Sequence, residues 1–141
     1  MIVCGDLISR VGFDSSPHGD ILNSTRTKFV GECEPELTNP AGDALINVLE
    51  DAKLFAENTY WNAGKTYFSP SSGAQTRVDY MLVDEESHLQ RVKNMFTDDR
   101  SATRLQAIKG CARADHIPMI MRIDLHLTFT ISPRNLRWDF D

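Results

Sequence analysis

Between residues 119 and 131 the chain alternates. Met119, Met121, Ile123, Leu125, Leu127, Phe129 and Ile131 are apolar, and Arg122, Asp124, His126, Thr128 and Thr130 lie between them. A period of two places the first set on one face of an extended strand and the second on the other. A dry face of this length has to be covered, so the rest of the chain must supply neighbouring strands and the elements that pack over them. Ser132-Pro133 ends the pattern, because proline cannot donate to a strand ladder. The expected division is a domain over residues 1–131 and a polar tail, "RNLRWDFD", within 132–141.

Other elements follow from local patterns. Residues 2–4 read as the end of a buried strand. Residues 9–38 are rich in Ser, Thr, Gly and Glu, show no sustained period, and read as a long surface loop; loops of that length in compact domains are usually functional or disordered. Asn39 reads as an N-cap with Pro40 at the first helical position, and Leu45, Val48, Leu49 and Ala52 follow at helical spacing, which predicts a helix over 40–53. "NTYWNAGKTYFSP" suggests two short strands around residues 62–64. "SSGAQT" is a turn into a strand over 77–83, "RVDYMLV", in which Asp79 faces away from Tyr80. Asp84 reads as the cap of a helix over 85–95 carrying Leu89, Val92 and Phe96. Strands and helices interleave without the regular cadence of a doubly wound sheet, so the expected fold class is α+β, a mixed sheet packed by helices.

With 141 residues, 41% apolar and 25% charged, the chain has the length of one domain and enough apolar matter for one core. Its net charge of −5 argues against a general basic surface for coating nucleic acid. It does not argue against a nuclease, since a site for a divalent cation is itself acidic. Cys4, Cys33 and Cys111 are odd in number, far apart and without a C-x-x-C pair, so neither a disulfide framework nor a structural zinc site is expected. Three reduced thiols fit an intracellular chain, nuclear or cytoplasmic. Neither a leader peptide nor a membrane-length apolar stretch is legible.

Three places put an acid or an imidazole at the end of a strand: Gly5-Asp6, Asp79-Tyr80 and Asp115-His116. Metal-assisted phosphodiester hydrolysis needs a carboxylate to orient or deprotonate water, a donor to meet the charge on phosphorus, and carboxylates to hold the ion. An imidazole bonded to a carboxylate through its second nitrogen is a suitable donor. Asp6, Asp79, Asp115 and His116 could fill these roles. Each also has a plainer reading: Gly-Asp at a strand end is most often a turn, and Asp-His pairs arise by chance. His126 on a polar face reads as solvated, and His18 and His88 carry no signal. Tyr60, Trp61, Tyr67 and Phe68 could stack on bases, but aromatic residues in short strands are more often core.

Taken in order, these segments resemble the C-terminal half of the endonuclease/exonuclease/phosphatase superfamily, most closely the endonuclease domains of non-LTR retrotransposons and their domesticated, craniofacial development protein-like relatives. The family's strand into G-D-F-N-A corresponds to "CGDLISRVG". Its N-x-x-G helix and the N-T beyond correspond to "NPAGDALINVLEDAKL" and "ENTYW". Its T-W, turn and R-x-x-x-I-D-Y-I-L-V correspond to "KTYFSPSSGAQTRVDYMLV", and its S-D-H before a long strand to "ADHIPMIMRIDLHL". The resemblance covers residues 2 to about 127 and implies the C-terminal half of a four-layer α/β/β/α sandwich, mainly antiparallel, with flanking helices. It implies a Mg²⁺- or Mn²⁺-dependent nuclease acting on DNA or another nucleic acid. Asp6 would position and activate water, Asp79 would orient His116, His116 would contact the scissile phosphate, and Asp115 would help to organise the metal. Tyr67 and Arg77 are candidate substrate contacts.

Two substitutions depart from the family pattern: Ile8 stands at the asparagine of G-D-F-N, and Ala114 at the serine of S-D-H. The family's first half, which supplies a metal-binding glutamate, has no counterpart before Asp6. The expectation is therefore a truncated, degenerate nuclease domain, a retrotransposon remnant that hydrolyses phosphodiesters only if completed. The alternative is a non-catalytic nucleic-acid or protein interaction module on the same scaffold. Half of a sandwich would also leave the apolar row from Met119 to Ile131 open to self-association.

Overall fold

The computed structural model describes residues 1–15, 21–25, 27–105 and 115–125. In chain order its elements are β1 (Ile2–Asp6), β2 (Gly12–Ser15), β3 (Ile21–Thr25), β4 (Glu36–Leu37), α1 (Pro40–Ala52), β5 (Leu54–Ala56), a 3₁₀ turn (Glu57–Thr59), β6 (Tyr67–Phe68), β7 (Gln75–Thr76), β8 (Asp79–Asp84), a π-helical turn (Ser87–Arg91), β9 (Val92–Thr97), α2 (Asp99–Leu105) and β10 (Met119–Ile123). This is a small mixed α+β fold with few helices. Among the described residues its strand pairings are antiparallel except for β2 with β4, and Val30 makes an isolated parallel bridge to Ala56.

The helix α1 forms where the local chemistry is complete. The Asn39 side chain accepts the Gly42 N–H at 2.8 Å, Pro40 occupies the first turn, and Lys53 closes the other end in the left-handed region, satisfying groups that a helix end would otherwise leave unpaired. Its buried face is Leu45, Ile46 and Leu49, each contributing roughly 1.5–3 kcal/mol when fully buried. That face meets Val11, Phe29, Val30, Leu54, Phe55, Tyr80 and Leu82 in one core.

In the sheet that positions the site, β8 lies between β1 and β5 and is antiparallel to both. Along β8, Tyr80 and Leu82 are buried while Asp79 and Met81 are half-buried, the period of two expected of a strand with unlike faces. Tyr80 donates its hydroxyl to the carbonyls of Ser9 at 3.2 Å and Arg77 at 3.3 Å. Burial pushes its pKa up, so it remains a neutral donor.

Several sequence expectations are corrected. β1 is not a buried strand: among the described residues it pairs only with β8, and all five of its residues are exposed. Residues 9–38 are not one long loop, because β2, β3 and β4 pair within them; strands this short carry no alternation to read. "NTYWN" holds the 3₁₀ turn instead of a strand, and the hairpin pairs β6 with β7 across residues 69–74. The helix over 85–95 stops at Arg91. Asp84 does cap it, accepting the Ser87 N–H at 2.8 Å, but Val92–Thr97 turns into β9, recruited by β10. In β10, Met119, Met121 and Ile123 pack against the core while Ile120 and Arg122 are exposed. The dry face of this strand is thus partly covered, and the open surface lies along β1. The strand expected to run on to residue 131 stops at Ile123, with Leu125 exposed; residues 126–131, including His126, and the tail over 132–141 lie outside the described residues, as do His18, Cys111 and Ala114.

Candidate active site

Antiparallel pairing of β1 with β8 places Asp6 directly opposite Asp79, and opposed residues of a ladder project to the same face. One further bond, from the Leu7 N–H to the Val78 carbonyl at 2.9 Å, holds the register at this end. The chain then leaves through Ile8, whose φ is 50° and whose N–H donates to Asp6 Oδ1 at 3.1 Å.

His116 arrives from the other side. The segment preceding β10 clips onto β6: the Phe68 N–H donates to the Asp115 carbonyl at 2.6 Å, and the Ile117 N–H to the Thr66 carbonyl at 2.7 Å. Between these bonds Tyr67 pairs with His116 as an antiparallel bridge, and their rings meet edge to face at 5.1 Å. The His116 Nδ1 lies 3.1 Å from Asp79 Oδ2. Since an ionised carboxylate can only accept, Nδ1 carries the proton, which leaves Nε2 facing Asp6 Oδ2 at 3.9 Å. Donor atoms of Asp6, Asp79 and His116 all lie within 4.8 Å of one another, so the group could hold a metal ion. Side-chain exposures of 43%, 24% and 34% leave it reachable from solvent.

The remaining sequence candidates are placed as follows. Asp115 stands beside the group but outside it, its Oδ1 accepting the His116 N–H at 2.9 Å. Tyr67 is brought against His116 and helps to line a hollow of about 300 Å³ with Asp6, Ile8, Val78 and His116. Arg77 is not brought there. It is buried, with Nη1 donating to the Cys33 carbonyl at 3.2 Å and Nη2 lying 3.5 Å from Glu34. A second hollow of about 300 Å³ runs from Asp6, Asp79 and His116 along Cys4, Met81 and Met119.

Sequence reasoning passed over Thr66 and Asn58, which are wholly buried. Thr66 Oγ1 accepts the N–H groups of Val78 and Asp79, both at 3.1 Å. Asn58 donates Nδ2 to the Asp79 carbonyl at 3.1 Å and accepts the Met81 N–H at 3.4 Å. Both lie in segments quoted for the resemblance, yet nothing in their residue type marks a site. Glu57 is likewise buried, bonded to Trp61 Nε1 and His88 Nδ1, each at 2.7 Å. With His88 stacked on Phe55 at 4.2 Å, this pair is part of the packing around the 3₁₀ turn.

Against known proteins, the chain matches no family model, no curated protein and no solved structure. Among the described residues, no helix is long and apolar enough to cross a membrane.

Proposed function

We propose that the chain carries the site of a metal-dependent phosphodiesterase of the endonuclease/exonuclease/phosphatase type, acting on nucleic acid and weakened by the loss of the motif asparagine at Ile8. The proposal includes the sandwich half, mainly antiparallel with flanking helices, that the resemblance implies. The observation that supports it is the convergence of Asp6, Asp79 and His116, from distant parts of the chain, on one end of the β1–β8 pair.

The donor set of two carboxylates and one imidazole fits Mn²⁺ well and Mg²⁺ through its oxygens. Asp6, Asp79 and His116 would hold the ion, which when bound supplies positive charge beside the phosphate. Asp6 would take a proton from the attacking water as the water's oxygen bonds to phosphorus; the bond from phosphorus to the leaving oxygen breaks, and that oxygen takes a proton from solvent. Asp79 accepts from His116 Nδ1, so that the Nε2 lone pair faces Asp6 and would be the imidazole's ligand to the ion. Asp115, bonded to the His116 backbone, keeps the approach to that ring in order.

A second reading, a non-catalytic nucleic-acid or protein interaction module, is favoured by Ile8 itself. It is 72% exposed and offers no hydrogen-bonding side chain at the mouth of the site. Incubation of purified protein with supercoiled plasmid and Mg²⁺ or Mn²⁺ separates the two. Slow nicking that is lost in His116→Ala supports the phosphodiesterase; metal-independent DNA binding without nicking supports the module.

A further inference from the structure

We propose that Thr66, which lies in the segment matched to the family's T-W, is a positioning residue that sets the distance between Asp79 and His116, a role that follows from its bonding alone. The inference rests on the reading of Asp6, Asp79 and His116 as the working site.

The two partners of the Asp79–His116 hydrogen bond come from different pieces of chain, and a 3.1 Å contact between half-exposed side chains has to be enforced by backbone. Thr66 touches both pieces. Its hydroxyl oxygen accepts the Asp79 N–H and the Val78 N–H, which fixes the start of β8. Its carbonyl accepts the Ile117 N–H at 2.7 Å, which fixes the segment one residue beyond His116. Its own N–H donates to the Thr76 carbonyl at 3.1 Å, anchoring it to the hairpin. Every polar group of this buried residue is therefore committed to a bond, and two of the three directions lead to the two partners. Asn58 takes the Asp79 carbonyl from the other side, so Asp79 is gripped at both its N–H and its C=O. Without the Thr66 hydroxyl, two N–H groups lose their acceptor, the start of β8 shifts to find another, and the Asp79 carboxylate moves relative to a ring that Tyr67 and the backbone clip hold in place. Residues that orient metal-site side chains from behind typically change metal affinity by about 10–100-fold when altered.

A plain structural role would make Thr66 matter to stability alone. Thr59 supplies the comparison: it is equally buried, its hydroxyl accepts the Gly31 N–H at 2.6 Å and donates to the Ala56 carbonyl at 2.6 Å, and it touches neither partner. The test compares the full-length wild type with Thr66→Val, Thr66→Ser and Thr59→Val. One readout is the His116 Nδ1–H proton resonance without metal; the other is Mn²⁺ affinity from paramagnetic broadening of the Asp6 and His116 signals. Thr66→Val should lose the Nδ1–H resonance to exchange and weaken Mn²⁺ binding about tenfold or more. Thr66→Ser, which keeps the hydroxyl, should stay within about threefold of wild type, as should Thr59→Val despite its loss of stability. Retention of the resonance and of Mn²⁺ affinity in Thr66→Val would overturn the proposal, and so would an equal loss in Thr59→Val. If the wild type binds no Mn²⁺, the metal reading fails, and the Nδ1–H comparison still decides Thr66. Should Thr66→Val not fold, Thr66→Cys, which keeps a γ atom but makes it a weaker acceptor, takes its place with the same outcomes expected to a smaller degree.

Discussion

Ile8 occupies the left-handed region with φ of 50°, where a β-branched side chain crowds the following carbonyl at a cost of about 1–2 kcal/mol. Asparagine visits this region readily, so Ile8→Asn should release most of that strain. What the substitution loses is small. Ile8 is 72% exposed, so little more than a quarter of its surface is covered, worth about 0.5 kcal/mol on the usual scale for an isoleucine. The bond from the residue 8 N–H to Asp6 Oδ1 belongs to the backbone and survives. The expected balance is a gain of about 0.5–1 kcal/mol, a rise of about 2–4 °C in Tm for a chain of this size. Ile8→Gly releases the same strain but adds freedom to the unfolded chain, so it should fall near wild type. Ile8→Val keeps the branch and should gain nothing. Urea unfolding of all four proteins reads the order directly: asparagine highest, glycine, valine and isoleucine close together, with a common m-value. An Ile8→Asn midpoint at or below wild type with m unchanged would refute the strain argument.

Three further outcomes are expected. Gly42→Ala should destabilise by about 3 kcal/mol or more, because its Cβ would stand 1.9 Å from the Arg10 carbonyl oxygen and overpacking against backbone leaves nothing flexible to yield; chemical denaturation gives the figure. Asn39→Ala should cost about 1–2 kcal/mol in the same assay, since Asn39 Oδ1 accepts both the Gly42 and the Arg10 N–H. Burial pushes the Glu36 carboxyl up, but hydrogen bonds from Lys65, Thr76 and the Arg77 N–H, with the Lys65 charge, outweigh it and hold the pKa below its ordinary value of 4.5. The stability it contributes is therefore present above 4.5 and lost as pH falls through the lower folded value. Glu36→Gln should flatten the acid side of the urea-midpoint profile, and an unchanged acid limb would show that Glu36 titrates alike folded and unfolded.

The parts of the fold that were legible are those whose signals are local. Helix α1 could be bounded from Asn39, Pro40 and the spacing of Leu45 and Leu49, because cap and stripe lie within one short stretch. β8 and β10 were legible from alternation. The stretch after Asp84 misled for a physical reason: Leu89, Val92 and Phe96 have helical spacing, yet Leu89 is exposed and Val92 buried, so they share no face. Pairing with β10, distant in the chain, outweighed local propensity. β1 was misjudged because an apolar run says only that a strand prefers cover, not that it finds any. Its Ile2 and Val3 remain exposed on an edge.

The candidate site divides along a similar line. Asp6, Asp79 and His116 could be singled out because acids and imidazoles at strand ends are few and chemically conspicuous. Arg77 was a candidate substrate contact beside the resemblance; only the fold shows it buried, its guanidinium turned under the Cys33 carbonyl. Thr66 and Asn58 act on backbone N–H and C=O groups that every residue possesses, so no spacing of residue types can reveal them. What joins these layers is register. Asp6 and Asp79 form the last pair of the β1–β8 ladder, and a slip of one residue would turn Asp6 to the opposite face. No residue of β1 is buried to resist such a slip, so resistance must come from the Asp6–Asp79 end of the ladder: the Leu7–Val78 bond and the grip of Thr66 on Val78 and Asp79. The geometry of the site is thus held from β8 and the hairpin side, while β1 supplies its carboxylate from a strand that, among the described residues, is paired on one side alone.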